Sequence, residues 1–134
     1  MKILLDTHII LWYFTNDAKL PKNAEDWINS ADNEVYYSIV SLWEVAIKHH
    51  INPDRMPISD EEFSEYAEKT GFTCLALNKD HISLLKTLHR KNNTKDHHDP
   101  FDRMLICQAK AESMMLLTHD SLIPGYEEPC IVYI

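Results

Sequence analysis

The sequence contains no apolar run near the roughly 20 residues that a membrane span requires. It has no paired CxxC. Cys74, Cys107 and Cys130 are odd in number and widely spaced, which gives little support to a zinc site or disulfide framework and points to reduced core thiols in a cytoplasm. Positive charge is scarce: 13 Lys and Arg stand against 21 Asp and Glu, a net charge of −8. Broad electrostatic binding to nucleic acid is thereby disfavoured, because it needs Lys and Arg to displace counterions. A nucleic-acid enzyme is not excluded, since carboxylates that await metal ions contribute to the same total. Repeats, low-complexity tracts and linkers are absent. Met1 to Asp6 turns acidic too early for a signal peptide, so export is not expected. What remains is an ordinary globular composition, 45% apolar and 25% charged over 134 residues. That length predicts a single domain, residues 1–134, with a sizeable core.

Short apolar runs alternate with helical stretches. Lys2–Leu5, Glu34–Ser38, Phe72–Leu77, Met115–Thr118 and Cys130–Tyr133 read as strands, by their β-branched and aromatic content and their bounding turn residues. Helices are predicted over His8–Phe14, Pro21–Ala31, Ser41 to about His50, Ser59–Thr70 ending at Gly71, and Asn78 to about Arg90. A further helix opens in the stretch His97-His98-Asp99-Pro100-Phe101-Asp102-Arg103, after a polar loop over 91–96. There Asp99 suits the N-cap, Pro100 suits the first helical position, and Asp102 falls three residues after the cap. Strands alternating with helices predict a three-layer α/β/α sandwich with a mainly parallel central sheet. Sites in such sheets form at the carboxyl ends of the strands.

Four acids fall at that edge, and each has an innocent reading. Asp6 can cap the first helix, and Ser41-x-x-Glu44 matches a capping box with a Glu44–Lys48 pair beside it. Asp102 can serve the helix dipole, and Asp120 a turn. Asp80 is placed similarly and carries no assigned role. Taken together, however, Asp6 and Asp120 directly follow strands, while Glu44 and Asp102 lie near helix starts, so all four can converge. Carboxylates so close repel one another and raise some of their pKa values. Mg²⁺, which prefers a few carboxylates plus water and phosphate, relieves that repulsion.

Leu4-Leu5-Asp6-Thr7-His8, Ser41-Leu42-Trp43-Glu44-Val45-Ala46-Ile47-Lys48, His97-His98-Asp99-Pro100-Phe101-Asp102-Arg103 and Leu117-Thr118-His119-Asp120 resemble, in order, the motifs of PIN-domain ribonucleases. The resemblance is greatest to VapC-type toxins of toxin–antitoxin pairs and runs over nearly the whole chain. It implies a PIN-like fold and an endoribonuclease that uses Mg²⁺ or Mn²⁺ to activate water. By motif, Asp6, Glu44 and Asp102 match the acidic triad and Asp120 the fourth, more variable acid. Asp99 matches an accessory acid, and Thr7 and Thr118 match hydroxyl residues that orient carboxylates. An RNA substrate, a VapB-like antitoxin, a homodimer and no membrane are implied as partners. His98 departs from the Arg common beside the Asp-Pro pair, and the loop over 91–96 is longer than expected.

Three rivals remain open, one of them a binding module in which the acid cluster is only structural. A metal-independent ribonuclease would use His97, His98 or His119 as acid and base. A phosphoacceptor receiver domain would need an acidic pair after the first strand, where Asp6 is followed by Thr7. Among the other residues, Arg103 either neutralises Asp102 or holds RNA phosphate. His97 and His98 are expected to bond Asp99 or a loop carbonyl rather than touch a scissile phosphate, and His49-His50 to serve a helix C-terminus. Lys86, Arg90, Lys91 and Lys95 read as a solvated basic face, and Trp12, Trp27 and Trp43 mostly as core, with a groove for an antitoxin helix the alternative that the resemblance implies for Trp12 or Trp43.

Overall fold

A computed structural model describes residues 1–134. Five strands, β1 Lys2–Leu5, β2 Glu34–Ser38, β3 Thr73–Leu75, β4 Met115–Thr118 and β5 Ile131–Tyr133, form one sheet. Its order is β3-β2-β1-β4-β5 and every neighbouring pair is parallel. Six α-helices cover it: α1 Thr7–Phe14, α2 Lys22–Asn29, α3 Ile39–Ile51, α4 Asp60–Thr70, α5 Lys79–Ser83 and α6 Pro100–Glu112. None is long and apolar enough to cross a membrane.

Strand periodicity divides the core into two. Ile3 and Leu5 of β1 point to one face with Leu117, where Ile9, Ile10, Ala24, Ile28, Phe63 and Ala67 cover them. Leu4 and Leu116 point to the other, under Leu105, Ile106 and Ala109 of α6. Helix α3 supplies Val40 to this second core and Val45 to the first. The sandwich expected from the sequence is therefore present, with a wholly parallel sheet.

Local chemistry fixes the helix ends. Ser59 and Glu62 form a reciprocal capping box at α4, which stops at Gly71 in the left-handed region at φ 86°. Asp99 caps α6 as expected, accepting hydrogen bonds from the amides of Phe101 (2.9 Å) and Asp102 (3.1 Å).

Several expectations are corrected. Helix α3 starts at Ile39 with Ser38 as N-cap, so the Ser41–Glu44 capping box does not form. The Ser38 hydroxyl takes the Val40 amide at 2.9 Å as soon as β2 ends, leaving Ser41 inside the helix. Strand β3 stops at Leu75, because the carbonyl of Ala76 is taken by the Gln108 side chain instead of a strand partner. The helix capped by Asn78 is only five residues long and tightens into a 3₁₀ turn over Leu84–Thr87. It does not reach Arg90, whose guanidinium holds the carbonyls of Lys95 and Leu122 and lies 4.8 Å from the Tyr126 ring centroid. Arg90 is thus a loop clamp and not part of a free basic face. Cys74 is exposed, not core. Trp43 is also outside the core, at 58% exposure, beside Val40 on the rim of a surface groove and edge-on to Phe101.

Candidate active site

The strand order reverses direction between β1 and β4, the switch point at which ligand crevices open in parallel sheets. Asp6 follows β1 there, and its amide donates to the Leu117 carbonyl of β4 at 3.0 Å. Asp6 stands at the N-cap position of α1, but its side chain accepts no capping hydrogen bond. Its Oδ2 accepts instead from Thr118 Oγ1 at 2.7 Å, and Thr118 Oγ1 in turn accepts from the Asp120 amide at 3.0 Å. Oδ1 of Asp6 is buried with no partner. Burial raises the Asp6 pKa, against the opposing effect of the Thr118 hydrogen bond.

Glu44 is 2% exposed, one turn into α3. Its Oε2 accepts from Lys48 Nζ at 2.5 Å, the pair expected at that spacing. Oε1, like Asp6 Oδ1, is buried and unpartnered. At Lys48, burial lowers the ammonium pKa, but the hydrogen bond and charge of Glu44 outweigh it and leave the pKa raised. Thr7 reaches no carboxylate; its hydroxyl pairs with Ser41 Oγ at 2.7 Å and ties α1 to α3.

Asp102, 8% exposed, projects from the first turn of α6. Burial, reinforced by the negative charges of Asp6, Asp99, Glu44 and Asp120, pushes its pKa up to about 8. That ordering places all five acids in one electrostatic environment. Asp102 Oδ2 lies 3.2 Å from His97 Nε2, and His97 Nδ1 lies 2.7 Å from the Tyr126 hydroxyl. Burial is the largest influence on His97 and lowers its pKa. Asp120 does form the turn expected of it, accepting from the Leu122 amide at 2.9 Å, and one of its oxygens joins the His97 and Asp102 donors within 4.8 Å. Asp80 is exposed, as a residue of no assigned role should be.

Asp102 and Asp120 are therefore brought together with His97, while Asp6 and Glu44 act on Asp102 through their charges. Their donor chemistry suits a hard divalent cation: two buried carboxylate oxygens have no hydrogen-bond donor, and burial, with the repulsion of Asp6, Glu44 and Asp120, keeps the Asp102 carboxyl from ionising freely. Arg103 forms no ion pair with Asp102, and its Nε is buried without a partner. His98 is exposed, while the exposed His119 stacks on Tyr133 with Nδ1 at the Ile134 carbonyl, so the three histidines share no partner. Sequence reasoning missed Tyr126 and the contact between His97 and Asp102. The signal available was the closeness of Tyr126 to Asp120 in the chain, with one 3₁₀ turn to carry it back over the site.

The PIN-domain family model matches residues 3–127. No curated protein sequence matches. Among solved structures, the fold is similar to VapBC2 from Rickettsia felis bound to a DNA fragment from their promoter, with a TM-score of 0.67 and 13% identity, over 100% of this chain and 98% of that one. It is also similar to FitAB bound to an IR36 DNA fragment, with a TM-score of 0.67 and 16% identity, over 98% of this chain and 94% of that one. A toxin–antitoxin complex from Klebsiella pneumoniae matches at a TM-score of 0.60 and 16% identity, over 97% and 95% of the two chains. At such identities the likeness is one of fold.

Proposed function

This chain belongs to the PIN-domain family, and from that premise we propose that it is a metal-dependent endoribonuclease, the toxin of a VapBC-type toxin–antitoxin pair, acting in the cytoplasm as a single nuclease domain over residues 1–134. The observation that carries the reading is the buried trio of Asp6, Glu44 and Asp102 at the switch point, with Asp6 Oδ1 and Glu44 Oε1 lacking any donor.

In this reading Asp6, Glu44 and Asp102 hold Mg²⁺ or Mn²⁺, and Asp120 completes the set. When bound, the ion supplies the positive charge that activates a water molecule and stabilises the leaving oxygen of a phosphodiester. Thr118 fixes the Asp6 carboxylate, and Asp99 fixes Asp102 by capping the helix that carries it. Thr7 acts one step further out, through Ser41 on α3. Arg103, the residue after Asp102, supplies positive charge for a substrate phosphate that would otherwise meet only negative charge.

A VapB-like antitoxin is the partner that would block the site. An apolar groove of about 560 Å³ beside it, lined by Trp43, Leu77, Ile82, Pro100 and Met104, supports a protein partner. Trp43 adjoins Glu44 in the chain and packs edge-on against Phe101 at 5.2 Å, so a segment seated there would lie next to the acids. The homodimer is read by sedimentation of the purified toxin.

The deciding test is cleavage of end-labelled RNA by purified protein. Activity with Mn²⁺ that EDTA abolishes, leaving 5′-phosphate ends, supports the proposal. Cleavage that survives EDTA and leaves 2′,3′-cyclic phosphate overturns it in favour of histidine acid–base chemistry.

A further inference from the structure

His97 is the one nitrogen donor among the clustered acids. Its ring is buried, with the residue 7% exposed, and each ring nitrogen has a partner on a different side. The Tyr126 hydroxyl is within reach of both the His97 backbone carbonyl, 3.1 Å away, and Nδ1, 2.7 Å away. When it donates to the carbonyl it accepts from Nδ1, and Nε2 turns a lone pair towards Asp102 Oδ2 at 3.2 Å. In the other tautomer Nε2 donates to that oxygen, and an entering cation replaces the shared hydrogen.

The spacing suits a cation. Bonds of about 2.1 Å place cis donors about 3 Å apart and trans donors about 4.2 Å apart. His97 Nε2 and Asp102 Oδ2 are at the cis distance, and an Asp120 oxygen completes a trio whose members all lie within 4.8 Å. The Tyr126 contact is the kind of outer partner that fixes the tautomer and ring orientation of a ligating histidine. Tyr126 is itself held under the Arg90 guanidinium, 4.8 Å from its ring centroid.

We propose that His97 is an inner-sphere nitrogen ligand of the ion held by Asp102 and Asp120, and that this imidazole biases the site towards Mn²⁺ over Mg²⁺. The proposal rests on the metal-dependent reading above. Its chemical basis is that Mg²⁺ takes oxygen donors almost exclusively, whereas imidazole suits transition ions.

The test is pulsed electron paramagnetic resonance of Mn²⁺ bound to the wild-type protein, alongside calorimetric titration of Mn²⁺ and Mg²⁺. Wild type is expected to show nitrogen modulation from a directly bound imidazole, and uniform ¹⁵N-histidine labelling should change its pattern. His97→Gln should remove that modulation and weaken Mn²⁺ by tenfold or more, while changing Mg²⁺ by less than about threefold. The wild-type spectrum decides even if His97→Gln does not fold, because no other histidine ring nitrogen belongs to the cluster. Mn²⁺ bound without histidine modulation overturns the ligand assignment and leaves the metal reading standing. No binding of either ion to wild type overturns both.

Discussion

Thr118 Oγ1 donates a 2.7 Å hydrogen bond to Asp6 Oδ2 across the β1/β4 switch point, joining residues 112 positions apart in the chain. The bond occupies one carboxylate oxygen and leaves Oδ1 buried without a donor. Thr118 is itself fully buried and receives the Asp120 amide, so one hydroxyl sets two of the candidate acids. Thr118→Val keeps the shape and removes the hydroxyl. We expect a stability loss of about 1–3 kcal/mol, because the buried acceptor on Asp6 is left unpaired. Cleavage should fall by more than stability explains. Urea melts and RNA cleavage on the same preparation check both.

The metal-free protein should gain stability as pH falls. Asp102 has a folded pKa of about 8, far above its ordinary value near 4, so the folded state binds the proton more tightly than the unfolded chain does. The stabilisation is complete below the ordinary value and is lost as pH rises through about 8. Denaturant midpoints in EDTA should therefore be higher at pH 6 than at pH 9, and Asp102→Asn should flatten the difference. A midpoint that does not change between those pH values in wild type would contradict the raised Asp102 pKa.

Binding of Mn²⁺ should displace that proton, since carboxylate ligands must be ionised. At pH 7 we expect proton uptake by the buffer on titration with Mn²⁺, seen as a calorimetric heat that varies with buffer ionisation enthalpy. The melting temperature should rise with Mn²⁺ concentration by mass action on the folded state. A melt unaffected by millimolar Mn²⁺ would count against the site.

Most of the fold was legible because it rests on local signals: apolar runs of strand length, Ser59 and Gly71 bounding α4, and Asp99-Pro100 opening α6. The candidate acids were legible from their places at strand ends and helix starts. What the sequence concealed depends on contacts distant in the chain. Whether Ser38 or Ser41 caps α3 is decided by where β2 releases the backbone, and Ser41 then goes to Thr7. Cys74 lies on an edge strand that pairs on one side only. His97 finds Tyr126, 29 positions on, where Arg90 ties the carbonyls of Lys95 and Leu122 to one another.

Capping and catalysis should separate at α4. Ser59→Ala removes one half of a capping box far from the acids in the chain and should cost about 1 kcal/mol of stability. RNA cleavage at a temperature where the variant is folded should be unchanged. Loss of activity without loss of structure in Ser59→Ala would mean that the acids are not the seat of the chemistry.

Asp102→Asn tests the role of the acid cluster most directly. Asparagine retains the size of aspartate, and Asp99 still caps α6, so the helix start should lose at most about 1 kcal/mol. Removing a buried charge that Asp6, Asp99, Glu44 and Asp120 repel acts in the opposite direction. A neutral amide is a poor ligand for a hard cation, so nothing restores ion binding. The measurement compares purified wild type and Asp102→Asn by thermal melt in EDTA and by cleavage of labelled RNA with Mn²⁺. An unchanged or raised melting temperature with cleavage abolished is the predicted result, whereas a folded Asp102→Asn protein that cuts RNA at near wild-type rate would contradict it.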